Sequence, residues 1–200
     1  FSQKGIDITG FVKADLHLQG KQSDAVNKYY SRLNNEGTLD LKDIVTTTEY
    51  LPKPFVIKEG EFKFKQDKMW FNNFKAVYGE TDMSMNGYMQ NVIDYVLTST
   101  GTLKGNFKLQ SGYFNADEWM LYGSQSADST LKDTSVAESG VIVIPANLDL
   151  NITAAANKVN FNGVRIDDVK GNLHINNGGL SLKQTGFKII GSETTMDAAY

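Results

Sequence analysis

The sequence predicts a mainly β protein: a curved antiparallel sheet of many short strands, forming an open gutter, a half-barrel or a sandwich, with two or three short helices. Apolar and polar residues alternate along most of the chain, which is the period of a strand with one buried face. Gly, Asn and Asp separate these stretches, as at residues 160–163 and 176–179, where hairpin turns are expected. Stretches with helical spacing of apolar residues are few.

The first predicted strand is "IDITGFVKADLHLQ" at residues 6–19, with apolar residues on one side and polar residues on the other. The same alternation recurs down to the final stretch at 171–191 and predicts roughly a dozen strands. The other alternating stretches are 37–41, 60–65, 69–71, 81–87, 105–112, 146–156 and 158–163.

Three stretches favour a helix. "SDAVNKYYSRL" at 23–33 begins with two capping candidates, "GYMQNVIDYVL" at 87–97 groups apolar residues on one side, and "NADEWMLYG" at 115–123 predicts one or two turns. Residues 123–140 are small, polar and without periodicity, and predict a mobile loop or a boundary between halves. Because the strand pattern continues on both sides, we expect a single domain over residues 1–200.

Two hairpin-like stretches, 60–79 and 171–191, align at a constant offset of 111 residues, which suggests an internal repeat. The alternative is that any two amphipathic hairpins look alike. The matched pairs are Gly60 with Gly171, Phe62 with Leu173, Phe64 with Ile175, Met69 with Leu180, Phe71 with Leu182 and, after one inserted residue, Val77 with Ile189 and Gly79 with Gly191.

Composition excludes several classes of protein. The net charge is −3, from 20 basic and 23 acidic residues, so no positive surface for nucleic acid is expected. The chain has no cysteine, which excludes disulfides and thiolate metal sites, and no apolar run of about 18 residues that could form a transmembrane helix. A start at Phe1 and an end at "MDAAY" suggest a fragment of a longer chain.

No group of residues has the pattern of a catalytic or metal site. His17 and His174 lie on the polar sides of predicted strands, far apart in the sequence. The carboxylates at 40, 43, 167 and 168 occur near turns, where aspartate bonds to the local backbone, and nothing nearby completes an acid–base pair. We therefore expect no enzyme activity, no metal and no cofactor. Exposed aromatic residues are the alternative candidates for a carbohydrate platform: Trp70, Tyr78, Tyr113 and Trp119.

The stretch "IPANLDLNITAAANKVNFNGVRIDDVKGNLHINNGGLSLKQTGFKIIGSETTMDA" at 144–198 resembles the C-terminal region of AsmA-like proteins. In that family an "NLDLNITA" strand leads to a "V-x-F-x-G" turn and a "G-x-L-x-I-x-x-G-x-L-x-L" hairpin. "TLKGNFKLQSGYFNADEWM" at 102–120 is similar to a second family element, and the stretches at 36–44 and 79–97 also fit. The chain departs from the pattern at Phe114 and Trp119, where the family usually has leucine.

The resemblance implies a fold and a role. AsmA-like proteins are similar in design to TamB and to chorein-type bridge proteins, in which a curved sheet lines an apolar trough for lipid chains. The resemblance therefore implies that this chain takes part in intermembrane lipid transport or outer-membrane assembly in the periplasm of a Gram-negative cell envelope, with lipid or membrane components as partners. The parent chain would carry a membrane anchor outside this sequence, and its upstream β-strands would pair with residues 6–19, which could otherwise pair with another copy. The sequence does not determine the oligomeric state.

The candidate lipid contacts share the apolar side of the predicted strands, where each buried CH₂ of an acyl chain contributes about 0.8 kcal/mol. The alternative for each residue is packing in a closed core. A carbohydrate- or protein-binding β-domain of a secreted or periplasmic protein is the alternative function. The lipid candidates are Ile6, Ile8, Val12, Leu16, Leu18, Phe62, Phe64, Phe71, Phe107, Leu109, Leu148, Leu150, Ile152, Leu173, Ile175, Leu180 and Leu182.

Overall fold

The computed structural model of the protein describes residues 2–3, 6–27, 29, 32–48, 51–97, 101–119 and 144–199; the predicted loop at 123–140 lies outside these residues. The first half contains β1 (Ser2–Gln3), β2 (Ile6–Gln19), α1 (Gln22–Val26), β3 (Asn34–Thr48), β4 (Leu51–Lys65), β5 (Lys68–Tyr78), β6 (Thr81–Gln90), α2 (Val92–Leu97) and β7 (Leu103–Asn115). The second half contains β8 (Leu148–Phe161), β9 (Val164–Asn176), β10 (Gly179–Ile189) and β11 (Ser192–Ala199).

All of these strands belong to one sheet, whose spatial order is the order of the chain from β1 to β11. The two ends of the sheet, β1 and β11, are not paired with each other, so the sheet is open and is not a closed barrel or a two-sheet sandwich. The predicted mainly β fold with an open sheet and short helices is confirmed. Consecutive strands are neighbours because most connections are short.

One pair of strands corrects the prediction of an entirely antiparallel sheet. β7 and β8 are parallel, with Phe107 opposite Ile152, whereas the other neighbouring strands are antiparallel. A parallel pair requires a long crossover, and residues 116–147 connect these two strands. Alternation of apolar and polar residues is the same in both directions, so the sequence pattern does not contain the direction of a strand.

The strands are longer than the short stretches that the sequence predicted. β3 and β4 each have 15 residues, although the alternation identified only residues 37–41 and 60–65 within them. The difference comes from bulges, where pairing continues after one residue with positive φ. Asp43 (φ 51°) lies at such a position in β3 and Asn73 (φ 50°) in β5. A bulge interrupts the alternation and also increases the local twist of the strand.

Two predicted helices are shorter than expected. α1 ends at Val26 rather than near residue 33, and Val26 is 72% exposed, so the predicted apolar side of this helix has little to pack against. The stretch 87–97 begins as the end of β6, because Gly87–Gln90 pair with both β5 and β7; only Val92–Leu97 are helical. The predicted turn at 115–123 is present at 116–119, the described part of that stretch.

Both predicted hairpin turns are present. Asn162–Gly163 connects β8 to β9 and Asn177–Gly178 connects β9 to β10, and all four residues have positive φ. Two-residue turns with this geometry match the right-handed twist of the strands and favour Asn-Gly. A third turn of the same kind, between β10 and β11, has Ile190 at φ 50° in the position that Asn occupies in the other two.

Replacing Ile190 with Asn should stabilise the protein by about 1 kcal/mol, because a β-branched residue is strained at positive φ and Asn tolerates it. Ile190 is 97% exposed, so no packing is lost. For a chain of this size the melting temperature should rise by about 3 °C. Ile190→Val is the control and should give no gain, since valine is also β-branched. An unchanged melting temperature for Ile190→Asn would contradict the assigned turn geometry.

The pairing register repeats along the sheet. Phe62 opposite Phe71 in β4 and β5 corresponds to Leu173 opposite Leu182 in β9 and β10, an offset of 111 residues. At the same offset, every described pair of β10 and β11 corresponds to a pair of β5 and β6; Thr185 with Met196, for example, corresponds to Phe74 with Met85. The bulges at Asn73 and Gln184 also correspond.

This constant offset changes one detail of the predicted alignment. Tyr78 corresponds to Ile189, so no inserted residue is needed between the two stretches. Val77 stands beside Tyr78 on the strand and faces the opposite side of the sheet, so its alignment with Ile189 was wrong.

The core lies at the centre of the sheet, on β5. Phe71, Phe74 and Ala76 are buried there on one side of the strand. Partly buried residues of the neighbouring strands pack against them: Phe55, Ile57, Phe62, Met83, Met85, Met89 and Phe107. All of these come from β4 to β7, so the best-covered part of the molecule is the middle of the sheet rather than its edges.

Candidate functional site

One side of the sheet, here called the apolar face, carries two rows of apolar residues and glycines that cross the strands. Residues directly opposite each other in neighbouring strands share a face, so the pairing register defines each row. Row one consists of Ala14, Leu39, Phe62, Phe71, Gly87, Phe107, Ile152, Leu173, Leu182 and Ala198. Row two consists of Leu16, Gly37, Phe64, Met69, Met89, Gly105, Leu150, Ile175 and Leu180.

On the opposite side of the sheet, here called the polar face, the row of residues that lies between rows one and two is mostly polar. Strand spacing of about 4.8 Å makes row one about 43 Å long from β2 to β11. The separation of polar and apolar residues therefore extends across the width of the sheet. The intervening row on the polar face consists of Asp15, Thr38, Lys63, Trp70, Tyr88, Asn106, Asn151, His174, Ser181 and Ala199.

All predicted lipid contacts whose side chains are described lie on the apolar face; the side chains of Ile6 and Leu18 lie outside the described part. Ile8, Val12, Leu109 and Leu148 share this face outside the two rows. The others belong to rows one and two. The predicted lipid contacts did not include several further members of this face, although the alternating methionines of "TDMSMNGYM" were a usable signal for three of them. These members are Ala14, Leu39, Met69, Met83, Met85 and Met89.

Exposure of the apolar face changes from its edge to its centre. On β2, Val12 is 61% exposed and Leu16 is 66% exposed, whereas Phe71 on β5 is 4% exposed. Exposed apolar side chains in a continuous patch indicate a binding surface more often than scattered ones do. The β2 end is therefore the part of the face that is open to a ligand without any rearrangement.

Aromatic rings on the apolar face lie over glycines. A methyl group added at Gly87 would come within 3.0 Å of Cδ1 of Phe107, and one at Gly60 within 3.0 Å of Cε2 of Phe62. The rings of Phe71 and Phe107 are 5.2 Å apart between centroids and tilted by 37°. Because glycine leaves space above the backbone, these rings approach the sheet closely and make a low apolar surface at its centre.

A helical turn at residues 116–119 closes one end of the central strands. The Glu118 carboxylate accepts the Glu80 N–H at 3.1 Å and forms an ion pair with the Lys53 ammonium at 2.5 Å. The Glu118 hydrogen bond raises the pKa of Lys53 above its ordinary value. Trp119 packs on Tyr78 with a centroid distance of 4.8 Å, and Tyr78 is fully buried. This contact anchors the turn to the edge of the core.

Replacing Glu118 with Ala should destabilise the protein by about 2 kcal/mol, because a nearly buried carboxylate that serves the Glu80 N–H is lost. The ion pair adds less, since the Lys53 side chain is half exposed and solvent weakens the interaction. Urea denaturation of the two proteins measures the difference. The control is Glu59→Ala, which removes an exposed partner of Lys75 and should change stability by less than about 0.5 kcal/mol. Equal effects of the two substitutions would contradict this role.

Two of the residues set aside in the sequence analysis, His174 and Asp168, pair with other side chains in the described part of the chain. His174 contacts Asp149 at 3.3 Å, and this hydrogen bond lowers the pKa of the Asp149 carboxyl. Asp168 pairs with Lys188 at 2.9 Å, which lowers the pKa of Asp168. Among the described residues, no group of three or more His, Cys, Asp or Glu side chains is arranged to hold a metal.

The four aromatic candidates for a carbohydrate platform do not share one surface. Tyr78 is fully buried beneath Trp119, whereas Trp70 lies on the polar face and is 37% exposed. Trp70 stands opposite Tyr88 and borders a shallow depression of about 440 Å³. The depression also has hydrogen-bonding side chains, contributed by Asp15, His17, Glu36, Thr38, Lys63 and Lys65.

Comparisons with protein families, with curated proteins and with solved structures gave no match for this chain. Among the described helices, none is long and apolar enough to cross a membrane.

Proposed function

We propose that this chain is a non-enzymatic module of an AsmA-like envelope protein and that its apolar face binds lipid chains. In this proposal the module works in the periplasm of a Gram-negative cell, in intermembrane lipid transport or outer-membrane assembly. The observation that supports it best is the pair of apolar rows, which continue across β2 to β10 while the row between them on the other face is polar. The sequence resemblance to the AsmA-like C-terminal region supports the same class.

The dimensions and energies suit an acyl chain. Row one is about 43 Å long, whereas one leaflet of a bilayer has a hydrocarbon depth of about 15 Å, so a lipid tail fits along the row. Each CH₂ that leaves water contributes about 0.8 kcal/mol, so ten methylenes on this face would contribute about 8 kcal/mol before the cost of association. The polar headgroup would stay in water beyond the edge of the face, and no catalytic group is required.

Mass spectrometry of material extracted from the purified protein tests this proposal. Protein purified under mild conditions from a Gram-negative host should carry phospholipid or fatty acid in amounts that approach one molecule per chain. Phospholipid that is absent both from this chain and from a longer parent protein would contradict the proposal. The same preparation from a variant with a disrupted apolar face should carry much less lipid and serves as the reference.

The second candidate function is carbohydrate binding on the polar face, favoured by the exposed Trp70 beside hydrogen-bonding residues in one depression. If this candidate is right, Trp70→Ala should abolish binding on a glycan array and leave the lipid content unchanged. If lipid binding is right, the Trp70→Ala variant should keep its lipid, and neither the wild-type chain nor the variant should bind on the glycan array. The two functions use opposite faces and are therefore separable by single substitutions.

A further inference from the structure

We infer that the free edge of β11 binds an extended segment of another polypeptide in the way that β6 binds β7. Among the described residues, β11 pairs only with β10, and all eight residues of β11 are exposed. The outer edge of β11 therefore presents backbone N–H and C=O groups to which an added strand can bond. This inference does not depend on lipid binding.

The internal repeat indicates which kind of strand this edge receives. At the offset of 111 residues, β10 and β11 correspond to β5 and β6, so that Glu193 of β11 corresponds to Asp82 of β6. In the first unit, β6 has a second neighbour, β7, which runs antiparallel to it. In the second unit, no described strand takes the place of β7. β11 is thus the strand of the repeat that lacks its outer neighbour.

Two side chains of β6 hold the end of β7. The Asp82 carboxylate accepts the backbone N–H groups of Gly112 and Tyr113, at 2.9 Å and 2.7 Å. The Thr81 hydroxyl accepts the N–H of Asn115 at 2.9 Å. These N–H groups lie beyond the part of β7 that pairs with the backbone of β6, so the two side chains extend the contact past the end of the ladder.

β11 has the same two kinds of acceptor at the corresponding positions. Ser192 takes the place of Thr81 and keeps the hydroxyl group. Glu193 takes the place of Asp82 and keeps the carboxylate. Both residues of β11 are exposed. They can therefore accept the backbone N–H groups of an antiparallel segment that leaves the ladder as β7 does.

The charge of β11 indicates the charge of the segment. Asn86 of β6 lies opposite Lys108 of β7, and the residue of β11 that corresponds to Asn86 is Asp197. One oxygen of Asp197 accepts the Gln184 N–H at 2.7 Å, and the carboxylate can accept further bonds. β11 has two acidic residues and no basic residue. A segment with a lysine at the position of Lys108 thus meets a carboxylate on β11 rather than an amide.

The space above β11 limits the size of one apolar residue of the segment. Ala198 corresponds to Gly87, over which the ring of Phe107 lies. A methyl group added at Gly87 would come within 3.0 Å of Cδ1 of Phe107. The segment on β11 should therefore have a smaller apolar residue, such as leucine, at the position of Phe107.

The edges of a second copy do not fit this description. Because β7 and β8 are parallel, β2 and β11 run in the same direction. Placing β2 of another copy antiparallel to β11 would turn the apolar faces of the two sheets to opposite sides. Contact between two β11 strands would bring two acidic strands together. The segment is therefore a basic, extended stretch of a different polypeptide, with alternating apolar residues.

A synthetic peptide tests the contact. The probe has the sequence of residues 103–115 with Phe107→Leu and a fluorescent label, and fluorescence anisotropy should show saturable binding of one peptide to the full chain. Glu193→Ala should weaken this binding by about tenfold, because two peptide N–H groups lose a charged acceptor. Glu193→Asp, which gives β11 the residue of β6, should bind at least as tightly as the wild type. Thr195→Val, on the same face, is the control and should change binding by less than about twofold.

Methylation of one peptide nitrogen tests the register. A probe that is N-methylated at the position of Tyr113 should bind the wild-type chain about tenfold more weakly than the unmodified probe. On the Glu193→Ala chain, methylation should cause no further loss, because the acceptor is already absent. Equal losses on both chains would show that this N–H does not meet Glu193 and would overturn the inference.

Two other occupancies can be recognised in the same experiments. A peptide that replaced the chain's own β7 would meet Asp82, so unchanged binding to the Glu193→Ala chain would overturn the inference, as would the absence of saturable binding. In sedimentation velocity, the complex should have the mass of one chain and one peptide. A dimer of the chain that excludes the peptide would show that a second copy occupies the edge and would overturn it as well.

Discussion

Replacing Val12 and Leu16 together with Asp should weaken the binding of a fluorescent fatty acid by roughly 100-fold. Each side chain is worth about 1.5–3 kcal/mol when it is buried against an apolar partner, and 1.4 kcal/mol corresponds to a factor of ten in affinity. Both residues are more than half exposed, so the fold should tolerate the change. A titration of the labelled fatty acid against the wild-type chain and the double variant measures the effect.

The same strand offers a matched control. Phe11 is 73% exposed and faces the polar side of the sheet, because it alternates in phase with Lys13 and Asp15 along β2. Thr9→Asp with Phe11→Asp adds the same charge to β2 and removes a larger apolar surface, but from the opposite face. Binding of the fatty acid should change by less than about twofold in this control. Equal loss in both double variants would mean that charge on β2, and not the apolar face, controls binding.

Replacing Gly87 with Ala should have the largest effect on stability, a loss of about 3 kcal/mol and roughly 10 °C in melting temperature. Gly87 has φ 154°, a backbone conformation that other residues rarely adopt. The added methyl group would also collide with the carbonyl oxygen of Asn106 and come within 2.9 Å of Cα of Phe107. Phe107 would have to move, and the contact between its ring and Phe71 would be lost.

Gly186 on β10 provides the control for that substitution. A methyl group added there would meet no atom within 4 Å, so Gly186→Ala should change stability by less than about 1 kcal/mol and could increase it. Urea denaturation of both variants gives the comparison. A loss at Gly87 no larger than that at Gly186 would contradict the close approach of β6 and β7 at row one.

The sequence predicted which residues share a face of the sheet, but it did not predict the strand directions or the bulges. Side chains in a strand alternate with a period of two, so the assignment of Phe62 and Leu173 to one face needed no knowledge of partners. The direction of β8 relative to β7 could not be predicted, because Phe107 and Ile152 alternate in the same way in either direction. Bulges were equally hidden, since Gln184 has no chemical feature that marks it for positive φ.

Long-range partners were the other missing part. Glu118 lay in a predicted short helical element, but nothing in the sequence pointed to Lys53 or to the Glu80 N–H as its partners. The long helix predicted over residues 23–33 was wrong for a similar reason. A helix of that length needs a surface against which its apolar side can pack, and the side chain of Val26 is largely exposed. By contrast, the Asn-Gly turns were predictable, because their backbone geometry depends on the two residues themselves.

Fluorescence quenching along β8 tests the central claim most directly. Single cysteines at Leu150, Asn151, Ile152 and Thr153 carry an environment-sensitive dye, and a fatty acid brominated along its chain is the quencher. Leu150 and Ile152 belong to the two apolar rows, whereas Asn151 and Thr153 face the other side. The account predicts strong quenching at 150 and 152 and weak quenching at 151 and 153. Equal quenching at all four positions, or none, would contradict binding of lipid chains on the apolar face.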